Sequence, residues 1–226
     1  MKEFSEVFSE IVAGISPVIE VTVQAGSDYY CCHSKWARKG KFLKGTDING
    51  NIVSKRIIAV VDGVKIRLED SLIVGSTLIL NPPFDITGTK MATNLEWTKS
   101  TNFALEKTPL IWLLDSFEDD EFGDESVIER SVSCKIFFLD ETDIKNYLTK
   151  DHKEQVVQPM MNLKDEFLEV IKKNRKFKTI TDKKTRYFSR FGTESPQGYE
   201  KNILDANLSG LVLTITLTKY KENCKC

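Results

Sequence analysis

Residues 208–218 read LSGLVLTITLT, a run rich in β-branched side chains that pack well on a pleated surface, and it predicts a strand that closes the fold. Upstream, Pro159 stands near the start of a helix that carries Met160, Leu163, Phe167 and Ile171 on one stripe. Residues 110–114 (LIWLL) follow Pro109 as a short apolar run of the kind that forms a buried strand, and residues 127–139 form a long strand candidate. Long strands mixed with only two good helices give an α+β class rather than alternating α/β. The expected architecture is a mostly antiparallel sheet with an N-terminal helix and one long helix packed on it.

The first half carries weaker signals. Residues 3–13 place Phe4, Val7, Phe8, Ile11 and Val12 at helical spacing, and Gly14 and Pro17 close that helix. Residues 18–24 alternate as a half-buried strand does, with Val21 and Val23 on one face, and residues 29–33 form a second candidate after Gly26-Ser27-Asp28. Residues 34–55, with Gly40, Gly45 and Gly50 and a basic run, are expected to be loop. Residues 56–61 and 64–68 flank Asp62-Gly63, the strongest hairpin signal in the chain. Residues 72–74 and 77–80 are expected to pair around Gly75-Ser76, and Asn81-Pro82-Pro83 ends that meander. Residues 85–108 are polar and weakly periodic, which predicts an excursion from the main sheet.

The chain has 226 residues, 41% hydrophobic and 29% charged, enough to bury a core without disulfides or metals. Its net charge of −1 offers no global attraction for nucleic acid. No stretch approaches the roughly 18 apolar residues of a membrane helix, so no membrane partner is expected. Glu3 and Glu6 stand where a signal peptide would be basic, so export by that route is not expected. Cys31, Cys32, Cys134, Cys224 and Cys226 are odd in number and clustered, which argues for reduced thiols rather than a disulfide framework.

No reactive constellation stands out. Cys31-Cys32-His33 and Cys224-x-Cys226 suggest a composite metal site, but adjacent residues on a strand point to opposite faces and cannot readily share an ion. His33 and His152 lie in no nucleophile motif, and no phosphate-binding glycine pattern occurs. The acidic group Asp115, Glu118, Asp119, Asp120, Glu121, Asp124 and Glu125 lacks the spacing of a calcium loop and reads as a solvated acidic loop over 115–125. Residues 172–190 are its opposite, with Lys172, Lys173, Arg175, Lys176, Lys178, Lys183, Lys184, Arg186 and Arg190 against Asp182 alone. Phe177, Tyr187 and Phe188 are interleaved, so the segment could track phosphates while its aromatics stack on bases. The plainer account is a solvated helix end and hairpin with the aromatics turned inward. An acidic and a basic patch on one chain can also meet between neighbouring copies, as in a head-to-tail ring. That pairs Asp115, Glu118, Asp119, Asp120 and Glu121 with Lys183, Lys184 and Arg186, and leaves Lys172, Lys173, Arg175 and Lys176 as candidates to line a channel for DNA.

Residues 107–226 further resemble neck and tail-completion (tail-terminator-like) proteins of phages and prophages of Bacteroidetes. The landmarks are 108–113 (TPLIWL), Phe117-Glu118-Asp119, Ile136-Phe137-Phe138, Leu139-Asp140-Glu141-Thr142, the helix 159–171, and 202–213 with Asn207-Leu208-Ser209-Gly210-Leu211. Residues 18–105 depart from that pattern as a strand-rich region of their own within a single connector-type domain over 1–226. The resemblance implies a non-enzymatic subunit of a closed ring, a hexamer or dodecamer, in the neck or tail of the virion. Such a ring joins a portal or adaptor to tail proteins, needs no cofactor or metal, and lets DNA pass without sequence preference. The alternative is a nucleic-acid-binding or DNA-processing protein using 172–190, and a third is an enzyme whose site no motif reveals.

Overall fold

Residues 18–80 build one sheet and residues 84–219 another, in a computed structural model that describes residues 4–15, 18–20, 24–25, 28–30, 36–47, 49–61, 65–70, 77–80, 82–99, 107–115, 118–122, 129–143, 148–174, 176–189, 191, 204 and 206–219. Ahead of both sheets, α1 (Phe4–Ala13) forms as its spacing requires and buries Val7, Phe8, Ile11 and Val12. The Gly14 N–H closes it on the Glu10 and Ile11 carbonyls.

The first sheet comprises β1 (Val18–Glu20), β2 (Gln24–Ala25), β3 (Asp28–Tyr30), β4 (Phe42–Thr46), β5 (Ile52–Val61), β6 (Lys65–Leu68) and β7 (Thr77–Leu80). Their order is β1-β7-β4-β5-β6-β3-β2, and every pair is antiparallel. The Asp62-Gly63 hairpin corresponds to β5 and β6, its turn lying outside the described residues. The expected strand faces at Val21 and Val23, the end of the strand expected at 29–33 and the strand expected at 72–74 also lie outside the described residues. β7 takes β1 and β4 as its partners.

The loop expected at 34–55 is corrected at Phe42–Thr46, which is β4, and at residues 52–55, which begin β5, while 36–41 and 49–51 are not strand. Gly45 misled there: it sits inside β4, where an added Cβ would lie 2.0 Å from the Thr77 carbonyl oxygen, so it admits β7 rather than breaking the strand. The turn between β4 and β5 is held by the Asp47 carboxylate, which accepts from the N–H groups of Asn49 and Asn51 and from Asn51 Nδ2, while Gly50 supplies a φ of 82°. Gly45→Ala is expected to push β4 and β7 apart and to cost about 1–3 kcal/mol, read as a lowered urea midpoint.

The second sheet contains β8 (Phe84–Gly88), β9 (Leu110–Leu114), β10 (Glu118–Phe122), β11 (Glu129–Glu141), β12 (Phe177–Phe188) and β13 (Leu208–Lys219). It runs β12-β13-β11-β9-β8, with β10 on the same side of β11 as β9 but further along it. Only β8 and β9 are parallel. The excursion expected at 85–108 is therefore corrected: β8 belongs to the sheet, and α2 (Lys90–Lys99) follows it. α2 buries only Thr93 and Trp97, too narrow a stripe to show in the sequence. The loop expected at 115–125 is corrected at Glu118–Phe122, a strand laddered onto β11, while Asp115 is exposed and residues 116–117 and 123–125 lie outside the described residues.

Helical structure begins before Pro159, with α3 (Thr149–His152), a π turn (Lys153–Val157) and α4 (Gln158–Asn174). Proline lacks the N–H that would continue the regular ladder, and a wider turn just ahead accommodates the loss. The expected stripe is buried, with Met160, Leu163, Phe167 and Ile171 each at most 1% exposed.

That stripe and α1 fill a core between the two sheets. The first sheet contributes Leu43, Ile57, Ile66, Leu68, Leu78 and Leu80, and the second contributes Ile111, Leu113, Ile136, Phe138, Leu211 and Leu213. A smaller cluster, with Trp97, Trp112, Leu139, Leu204 and Leu208, covers the other face of the second sheet at one end.

Candidate functional site

The residues singled out in the sequence come to lie mostly on the second sheet. Among the described residues, β10 pairs only with β11 and β12 only with β13, so β12 borders the sheet on one side and β10 borders the other where β11 extends past β9, β8 being the border beside β9. The register carries Thr181 through Thr216 and Ser133 to Glu118, and Thr179 through Thr218 and Ser131 to Asp120. Glu118, Asp119, Asp120 and Glu121 therefore stand on a strand three steps, roughly 14 Å, from β12. Lys183, Lys184 and Arg186 are exposed on β12, which is bulged between Thr181 and Lys184, with Asp182 at a φ of 49°. Hydroxyls occupy the middle, where the Ser133 and Thr216 oxygens are 2.9 Å apart. Asp115 is exposed at the end of β9.

The remaining basic residues divide. Lys172 and Lys173 are exposed in the last turn of α4, where the helix dipole favours cations. Lys176 pairs with Glu10 of α1, and Arg175 and Arg190 lie outside the described residues. Phe177 is buried and Phe188 packs at 6.2 Å from the Phe137 ring, whereas Tyr187 is 47% exposed. Two of the three aromatics thus turn inward, as the plainer account of the segment expects.

A second polar constellation had no sequence signature. Arg38 and Lys41, just before β4, reach across to Asp140 near the end of β11 and to Thr108 before β9. Arg38 Nη2 donates to Asp140 Oδ1 at 2.5 Å and to Thr108 Oγ1 at 3.3 Å, and Lys41 Nζ donates to Thr108 Oγ1 at 3.1 Å. All four residues are buried, Asp140 completely. Arg38 and Asp140 are 102 positions apart, so only the fold pairs them. The cluster links the segment leading into the first sheet to the second sheet.

Burial pushes the Lys41 ammonium down to about 8, against a favourable pull from Asp140. Because the folded value lies below the unfolded 10.5, the unfolded chain binds the extra proton between pH 8 and 10.5, and stability from this group rises across that window. The rise should reach up to about 3 kcal/mol and vanish in Lys41→Met. Cys134 acts oppositely above pH 9, since burial lifts its thiol to about 12, so the measurement is the difference between wild type and variant in urea midpoint at each pH.

Cys31, Cys32, His33, Cys224 and Cys226 lie outside the described residues. His152, on α3, is half-buried, and desolvation lowers its pKa. A shallow groove of about 350 Å³ is lined by Glu6, Ser9, Asp85, Ile86, Thr87 and Glu96, with Ser9 Oγ donating to Asp85 at 2.7 Å. Among the described residues no three His, Cys, Asp or Glu side chains are grouped to hold a metal, and no helix is long and apolar enough to cross a membrane. Comparison with family models, curated proteins and solved structures finds no match for the chain.

Proposed function

We propose that this chain is a structural, non-catalytic ring subunit of the head-to-tail connector of a tailed bacteriophage, joining a portal or adaptor to tail proteins. The observation that carries the proposal is the pair of unlike borders on one sheet, acidic β10 and basic β12. A self-complementary surface stops at a dimer, whereas two different surfaces that fit each other propagate and close into a ring when the rotation allows. The family landmarks add support, because 108–113, 136–142, 159–171 and 207–213 fall on or beside β9, β11, α4 and β13, which pack as one body around Phe138 and Phe167.

Electron microscopy of the purified chain tests this directly. Closed rings of one copy number, a hexamer or dodecamer, are expected, as is the chain's presence in the neck or tail of purified particles. A protein that stays monomeric at every concentration and is absent from particles overturns the proposal. Tight, salt-sensitive binding of DNA by that monomer would favour the nucleic-acid alternative.

A further inference from the structure

We infer that neighbouring copies dock edge to edge, β10 of one against β12 of the next, so that the second sheet continues antiparallel from subunit to subunit; this deepens the ring proposal and rests on it. Strand directions permit it. β10, β11, β13 and β12 alternate in direction across the sheet, so β10 runs opposite to β12, and a copy displaced sideways sets them antiparallel without turning over. β10 offers Glu118, Asp119, Asp120 and Glu121 within five residues, and β12 offers exposed Lys183 and Lys184.

The chemistry of the two borders selects the occupant. Lysines and a bulge on an edge strand discourage pairing with an ordinary strand, and like charges keep two β12 edges apart. An acidic strand removes that repulsion and offers a ladder to edges that no strand among the described residues takes. A nucleic acid would match the basic border alone, whereas a second copy of this chain matches both. Exposed ion pairs contribute only about 0–1 kcal/mol each, so the charges choose partner and direction while the ladder and adjoining apolar contacts hold the copies together.

Sedimentation velocity on the full chain, at increasing concentration and at about 50 and about 500 mM salt, supplies the test. Wild type should associate at both salts, and less tightly at the higher one. Asp119→Lys/Asp120→Lys/Glu121→Lys and Lys183→Glu/Lys184→Glu should each weaken association at least about tenfold while keeping the wild-type melting temperature. The decisive sample is an equal mixture of the two variants. One then has two basic borders and the other two acidic ones, so alternating assemblies should form from proteins that do not assemble alone. Association that survives both reversals, or a mixture no better than its parts, overturns the edge-to-edge inference while leaving rings formed by other surfaces intact. A wild type that never associates removes both. If Lys183→Glu/Lys184→Glu abolishes binding of a labelled duplex and leaves self-association unchanged, the basic border serves DNA and the inference fails.

Discussion

Phe167→Ala is expected to destabilise the fold by about 3–5 kcal/mol, a large share of the stability of a domain this size. The ring sits mid-stripe on α4, 1% exposed, where three layers meet. Phe8 of α1 packs against it at 5.8 Å in a tilted arrangement, and Phe138 of β11 meets it edge-on at 5.5 Å. Truncation removes the transfer energy of a full aromatic ring, leaves a cavity that α1, α4 and the second sheet cannot jointly close, and abolishes both ring pairs. Equilibrium urea unfolding reads the loss, and Phe167→Leu should recover part of it by filling much of the space. An unchanged midpoint in the alanine variant would mean that the stripe does not face the core.

Asp140→Ala should cost a similar amount, about 3–5 kcal/mol, for a different reason. Its carboxylate is fully buried and neutralises Arg38, so removing it strands a guanidinium away from water. The pair itself is not a source of large net stability. Asp140 Oδ2 and Arg38 Nε find no hydrogen-bond partner among the described residues, so desolvation is only partly offset. The contrast is therefore diagnostic: Arg38→Met combined with Asp140→Leu should be close to neutral, or more stable than wild type by about 1–4 kcal/mol. A double variant as unstable as the single one would show that the backbone, held by the Asp140 carboxylate through the Glu141 N–H, depends on the ionised group.

What was legible in the sequence follows the physics of each signal. The α4 stripe and the apolar run of β9 declare themselves because every core-facing position is occupied by an apolar side chain. The strand β4 hides because Lys44 is exposed and Gly45 serves a close approach rather than a turn. The strand β10 hides because four consecutive acids have poor strand propensity, and only the ladder to β11 makes them extended. The charged segments were visible as composition, but their placement on opposite borders of one sheet depends on the order of β12, β13 and β11. The Arg38–Asp140 pair depends on the junction of the two sheets and has no local trace.

The order of strands also sets a timetable for synthesis. The first sheet is contiguous in the chain, residues 18–80, and its strands can pair soon after they leave the ribosome. The second sheet must wait, because β13 is inserted between β12 and β11, and β11 waits some seventy residues for its central neighbour. Until then the acidic hairpin arm and the basic strand belong to no common surface. In the proposed ring, a nascent chain on a crowded polysome would thus lack the paired borders that join neighbours, and competence to assemble would arrive only with β13.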